Sequence, residues 1–212
     1  MASQKASAKK AARAPSRRRG RDRVAALMEA ARAVFIEKGA DAATMTEIAA
    51  RAGAAIGSLY QFFPTKEALA DALHVEAVEA MLAEFEALRA DVAGGARRPN
   101  GGALVDRLFR MIADFLDTHP VFVALADRRT IDPKRKQQVR RRLRGEVAAL
   151  FALAEPKIAA PRIEAIAVLI PHFMRVIVAL RSETELPNRA RVIDELRAML
   201  VAHLGAKANG RD

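Results

Sequence analysis

Thr44-Met-Thr-Glu-Ile-Ala-Ala-Arg-Ala-Gly-Ala-Ala-Ile-Gly-Ser-Leu-Tyr-Gln-Phe-Phe-Pro-Thr-Lys-Glu-Ala-Leu69 is the stretch whose reading decides the fold. Thr44-x-x-Glu47 has the pattern of a capping box, in which a hydroxyl and a carboxylate satisfy free backbone amides reciprocally at a helix start. Ile48 and Ala49 then face inward, and the helix ends at Ala52-Gly53. A turn with positive φ at Gly53 would cost any other residue about 1 kcal/mol or more. A second short helix is predicted over roughly Ile56 to Phe62, because Pro64 pushes the residue before it out of the α region. Thr65 caps the next helix. Two short helices about a tight glycine turn are the layout of a helix-turn-helix, whose second helix enters the DNA major groove.

Upstream, Val24, Leu27, Met28, Ala31, Val34 and Phe35 recur at helical spacing and predict helix 1 from about Asp22 to Lys38, with Gly39 as its stop. Residues 1–21 hold eight Lys/Arg and no acid. Residues 1–20 lack large apolar side chains, cannot offset their own ordering entropy, and read as a disordered basic arm. Such an arm contacts nucleic acid or is a passive solvated tail. An organelle transit peptide shares this composition, but the spaced apolar residues of an amphipathic targeting helix are missing.

Downstream, helix 4 runs from Thr65 to about Ala93 on a stripe including Leu69, Leu73, Ala77, Met81, Phe85, Leu88 and Val92. Residues 94–102, rich in Gly with Arg97-Arg98-Pro99, read as a mobile loop. Helix 5 is predicted over about Ala103 to Thr118, and a short helix 6 follows the His119-Pro120 break. Helix 7 starts at Asp132-Pro133 and reaches about Ala154. Pro156 and Pro161 bracket a connection. Helix 8 (about Arg162 to Leu180) carries Pro171 inside it, where a kink is expected. Helix 9 covers about Arg189 to Leu204. The fold class is therefore all-α, with about nine helices. The expected domains are the arm, 1–20; the helix-turn-helix domain, 21–68; a ligand-binding and dimerisation domain, 69–205; and a disordered tail, 206–212.

The chain of 212 residues is long enough for a substantial core, and about half its residues are apolar. It has no cysteine, which excludes disulfide scaffolds, thiolate metal sites and cysteine nucleophiles. No clean apolar run approaches the roughly 18 residues of a spanning helix, so a soluble protein without a membrane partner is expected. The net charge of +11 is uneven. Residues 22–70 hold five basic and six acidic side chains, whereas residues 127–144 hold nine basic and two acidic ones. Basicity thus sits in the arm and one internal cluster. No nucleophile-base-acid set, glycine-rich phosphate loop or metal-ligand spacing is found, so no catalytic residue, cofactor or metal is assigned.

Residues 22–69 resemble the DNA-binding domain of the TetR (tetracycline-repressor) family of bacterial transcriptional regulators. The resemblance rests on Ala31, Phe35, Gly39, Thr44, Ile48, Ala49, Ala52-Gly53, Gly57, Leu59-Tyr60, Phe63, Lys66-Glu67 and Leu69. It implies a cytoplasmic bacterial protein, on the nucleoid when DNA-bound. It also implies a homodimer joined through helices 8 and 9, reading a palindromic operator of double-stranded DNA. A small-molecule effector, not identifiable from sequence, would bind among helices 4 to 7. On the matching positions, Thr44 and Thr46 suit a phosphate at a helix N-terminus. Ser58 and Tyr60 resemble phosphate or groove contacts, and Gln61 pairs well with adenine. Gly57 lets the backbone approach DNA, and Thr65 and Lys66 lie at the start of helix 4, Lys66 as a phosphate clamp. Leu59 and Phe63 read as core. Two positions depart from the family pattern: Ala55 lacks the hydroxyl that caps the recognition helix, and Ile56 either meets a thymine methyl or packs.

Two alternatives to the effector-released repressor stay open: an effector-independent or architectural DNA-binding protein, and a module that contacts only proteins. In the C-terminal half the candidate ligand groups are Arg110, Asp114, His119, His172 and Arg175, with His74 also polar on an apolar helix. His172 and Arg175 share one helix face, where they serve an acidic ligand or are satisfied structurally. The basic cluster from Arg128 to Arg144 is a solvated face or an entrance favouring an anionic effector.

Overall fold

The computed structural model describes residues 13–125, 133–183 and 185–206. Nine helices and no strand occur among the described residues: α1 (Arg13–Ala42), α2 (Met45–Arg51), α3 (Ile56–Phe62), α4 (Lys66–Gly94), α5 (Gly101–Thr118), α6 (Pro120–Ala124), α7 (Pro133–Ala154), α8 (Ala160–Ser182) and α9 (Arg189–Ala206). The chain forms two compact units, Met1–Leu73 and His74–Asp212. Residues 1–12 of the basic arm, Arg128, Arg129 and Asp132 of the internal segment, and the tail from 207 onward lie outside the described residues.

In the first unit the local sequence signals act where they stand. Gly39 takes φ +76°, ψ 164° and breaks α1 where a stop was expected. Thr44 and Glu47 form both arms of the capping box, and Gly53 turns at φ +59°. Thr65 Oγ1 accepts from the Ala68 amide at 3.1 Å, opening α4. Leu27, Ala31, Phe35, Ile48, Leu59, Leu69 and Leu73 are essentially inaccessible to solvent. The upstream boundary differs from expectation: α1 begins at Arg13, so residues 13–20 are helical rather than disordered. Arg and Ala are good helix formers, and Pro15 falls in the first turn, where a missing amide costs nothing.

The second unit is held by one apolar cluster that includes Met81 and Phe85 of α4, Leu104, Leu108, Ile112 and Phe115 of α5, Val147 and Phe151 of α7, and Ile166, Ile170 and Ile177 of α8. Helix α5 packs chiefly on α9, and α7 on α8. Two expectations are corrected here. The glycine-rich loop is shorter than composition implied: Asn100 caps α5 by accepting from the Ala103 amide at 2.8 Å, and Gly101 and Gly102 are buried helical residues. The Gly101 amide donates to Glu155, a partner 54 residues away that no local pattern reveals. Pro161 lies in the first turn of α8, not in the connection. Helix α8 is long and apolar enough to cross a bilayer by length and composition, a test that a core helix also passes, and Glu164, Pro171, His172 and Arg175 divide its apolar runs. Its Ile166, Ala167, Ile170, Met174 and Ile177 are buried within the unit's own core.

Candidate nucleic-acid interface and effector cleft

Helix α3 has seven residues, and of its side chains only Leu59 is buried. Ile56, Tyr60 and Phe62 are 40%, 48% and 40% exposed, and Gln61 and Gly57 are exposed beside them. A short helix whose apolar side chains point to solvent has a face reserved for something outside the chain. Ile56 is therefore not packed in the core, and Leu59 and Phe63 are core residues as expected. A Cβ built on Gly57 would meet no heavy atom within 4 Å, so glycine there is not required by the fold. Ala55 stands as N-cap with no side-chain hydrogen bond, leaving the first amides of α3 without that partner.

Thr44 and Thr46 are exposed at the start of α2. Thr44 is already engaged, since its Oγ1 accepts from the Glu47 amide at 3.2 Å and donates to the Glu47 carboxylate at 3.0 Å. Lys66, read as a phosphate clamp, is only half exposed. Its Nζ donates to the Asp41 and Ala43 carbonyl oxygens at 2.8 and 2.9 Å, tying the start of α4 to the segment after Gly39. That position makes Lys66 a strut of the motif first. Arg23 of α1, which the motif pattern does not include, donates from Nη1 to Ser58 Oγ at 3.2 Å. Arg18, Arg19 and Arg21 are exposed on the same helix, with no ion-pair partner among the described residues. Two of the acidic side chains of residues 22–70 are meanwhile paired internally. Glu37 pairs with Arg51 at 2.7 Å and Glu47 with Lys38 at 2.5 Å. The hydrogen bond from Arg51 holds the Glu37 carboxyl below its ordinary pKa, and those from Lys38 and Thr44 do the same for Glu47. Helix propensity and spacing could have flagged the α1 arginines; the Arg23–Ser58 contact needs the fold.

In the second unit a cleft of about 530 Å³ opens between α4 and α5. Leu88 and Ala87 on α4 and Met111 and Phe115 on α5 supply its apolar surface; Glu84, Asp91, Arg107, Arg110, Asp114 and Thr118 supply its polar groups. Arg110 and Asp114 are thus brought together in one cleft. His119 stands behind its wall: its ring stacks on Phe115 at 4.2 Å between centroids, and Nδ1 lies 2.9 Å from Thr118 Oγ1. His74 stacks on Phe122 at 5.9 Å, away from the cleft lining. His172 and Arg175 do not join this group. They sit on the exposed side of α8, where His172 Nδ1 is 2.7 Å from the Val168 carbonyl oxygen. That side also presents Val168, Leu169 (50% exposed) and Val176, and α9 presents Val192 and Met199 (67% exposed). Of the basic cluster, Arg142 makes a two-pronged pair with Glu79, while Arg140, Arg141 and Arg144 are exposed and none lines the cleft. No group of His, Asp and Glu among the described residues is arranged to hold a metal ion.

The family described as bacterial regulatory proteins, tetR family, matches residues 27–73, and the tetracyclin repressor-like C-terminal domain matches residues 102–204. A TetR-family regulator from Mesorhizobium loti superposes with a TM-score of 0.64 at 19% identity, covering 89% of this chain and 98% of that one. A tetR-family regulatory protein from Rhodococcus gives 0.62 at 18% identity over 86% and 97% of the two chains. One from Streptomyces coelicolor gives 0.61 at 21% identity over 88% and 80%. No curated protein sequence matches significantly. With both family domains in order along one chain, and an exposed recognition helix in the first, the protein belongs to the TetR family and is a DNA-binding transcriptional regulator.

Proposed function

We propose that the protein is a cytoplasmic homodimeric repressor that reads a palindromic operator with α3 and leaves it when a small molecule enters the α4–α5 cleft. The observation that carries this reading is the presence, on a unit separate from the helix-turn-helix, of a cleft with an apolar floor and convergent charges, in the size range of small-molecule sites. An effector-independent DNA-binding protein has no use for such a cleft. Release requires that the effector bind the DNA-free conformation more tightly than the DNA-bound one; a ligand without that preference shifts nothing.

For the interface we assign Gln61 as base reader, with Ile56 and Tyr60 meeting base edges or the groove wall. Thr46, Ser58 and Thr65 meet phosphate, as do the exposed arginines of α1. Gly57 is the point of closest approach. The apolar strips of α8 and α9 are the proposed dimer contact, because exposed branched side chains at helical spacing gain most from burial against a second copy. His172 and Arg175 then belong to that contact rather than to the effector site.

The test uses fluorescent DNA from the region upstream of the protein's own coding sequence. Two chains should bind per palindrome, Gln61→Ala should lose sequence preference, and fractionated metabolites should release the DNA. Unchanged DNA affinity across every fraction would favour the effector-independent reading. Leu169→Glu together with Met199→Glu should give a monomer by sedimentation; a persistent dimer would move the interface elsewhere.

A further inference from the structure

We infer that the α4–α5 cleft selects an amphipathic cation, its ammonium or amidinium head held by Glu84 and Asp114 and its apolar body laid on Leu88, Met111 and Phe115. The inference rests on the reading of this cleft as the effector site and names the chemistry of what enters it. The charges at the cleft decide it. Arg107 is paired with Asp91 across the cleft. Arg110 is paired with Asp106 one turn away at 2.9 Å, and Asp106 is further anchored by Arg197 Nε at 2.7 Å. Arg107 therefore has Asp91 as its own carboxylate, whereas Arg110 shares Asp106 with Arg197. Glu84 and Asp114, one on each wall, have no ion pair and no side-chain hydrogen bond among the described residues; the Thr118 hydroxyl at 2.9 Å is bonded to the Asp114 backbone carbonyl instead.

An entering anion would find both guanidiniums already engaged by carboxylates and would face the two uncompensated ones, Glu84 and Asp114. An entering cation gains both carboxylates and displaces only water. The apolar floor is flanked by charge rather than enclosed, which suits a ligand with one charged end and one apolar end. The basic cluster of the sequence offers no counter-argument, because its described members Arg140, Arg141, Arg142 and Arg144 line no part of the cleft.

Three probes of equal chain length separate the possibilities: octyltrimethylammonium, octanoate and 1-octanol, each titrated calorimetrically into the full-length protein below any micelle concentration. The cation should bind at least tenfold more tightly than octanoate. In the Glu84→Gln/Asp114→Asn variant that advantage should fall below threefold, while octanol binding stays the same. Both carboxylates are exposed, so the isosteric changes should leave the melting curve unmoved, and either single variant serves if the pair does not fold. Octanoate binding as tightly as the cation, or a cation preference that survives the double variant, overturns the proposal and leaves the cleft as effector site. Octanol reports on the cleft alone: no binding by any of the three, with DNA affinity unmoved, overturns the effector reading and this proposal together.

Discussion

The longest polar ties within each of the two units close very different spans of chain. In the first, the polar ties close short spans: 3 residues for Thr44–Glu47, 9 for Lys38–Glu47, 25 for Lys66–Asp41 and 35 for Arg23–Ser58. In the second, Arg89–Glu146 spans 57 residues, Arg142–Glu79 63, Arg181–Asp117 64 and Arg197–Asp106 91. A structure specified by neighbouring residues has a signature in consecutive sequence. One specified by distant partners has none until the chain closes. The first unit is also where function demands fixed geometry, since α3 must present the same atoms to every operator. The second tolerates variation wherever a different ligand or core solves the same packing problem.

The largest expected effect tests that division by core truncation. Phe151 is fully buried in the second unit's cluster, so Phe151→Ala should cost that unit about 3–5 kcal/mol. The protein has one tyrosine, Tyr60, and no tryptophan, so tyrosine emission follows the first unit while circular dichroism follows both. In urea, the variant should shift the dichroism transition and leave the tyrosine transition in place. If both shift together, the units unfold as one and the comparison fails as a statement about stability.

Gly57→Leu addresses the function of the first unit without touching its fold. Nothing within 4 Å resists a side chain there, and losing a helical glycine gains up to about 1 kcal/mol. Stability should therefore hold or rise, while operator affinity falls at least tenfold, about 1.4 kcal/mol, if DNA backbone comes close at this position. Equal affinity would move the point of closest approach away from Gly57. Thr44→Ala asks the converse: losing the cap should lower stability by about 1 kcal/mol, read from the tyrosine transition alone.

These residues also mark how far the sequence could be read. Thr44, Glu47, Gly53, Pro64 and Thr65 act within one or two turns of themselves, and each boundary from Met45 to Phe62 stands where they put it. Caps, breakers and helical periodicity together found the nine helices of the described residues, because such signals need no tertiary knowledge. What escaped was whatever depends on another element. Gly101 and Gly102 read as loop because Glu155, which satisfies the Gly101 amide, lies in a different helix. The grip of Lys66 on two backbone carbonyls went unread because those partners come 23 and 25 residues earlier. Arg110 and Asp114 were proposed for the effector site from polarity alone, and so were His172 and Arg175. Only the cleft lined from both α4 and α5 separates the first two, which lie in it, from the second two, on an exposed helix side.

Arg23 sharpens the functional half of the comparison. It stands against Ser58 of the recognition helix yet belongs to a helix that carries Arg18, Arg19 and Arg21 toward solvent. If this helix touches DNA phosphates, Arg23→Gln should lower the slope of log affinity against log salt by about 0.9, and replacing all four should lower it in proportion. Sequence preference should be unaffected, since phosphate contacts carry none. An unchanged slope would leave α1 a scaffold only.

The smallest effect concerns acid. Folding lowers the carboxyl pKa of Glu37 through Arg51 and of Glu47 through Lys38 and Thr44, so in acid the unfolded chain binds protons that the folded unit does not. The stability these groups confer is then complete above the ordinary carboxylate range, and it drains away as pH falls through that range to their depressed folded values. Arg142 lowers Glu79 in the same way in the second unit, so both units should lose stability in the same direction. The contrast lies in what is attached to the carboxylates. Glu47 is half of a capping box that starts α2, whereas Glu79 is an exposed side-chain pair on a helix already fixed by Met81, Phe85 and their neighbours. Acid should accordingly move the tyrosine transition more than the dichroism change contributed by the second unit. Glu47→Gln should flatten the acid limb of the tyrosine curve, while Glu79→Gln leaves that curve unaltered. Equal flattening by both would mean that a carboxylate's setting matters less here than its charge.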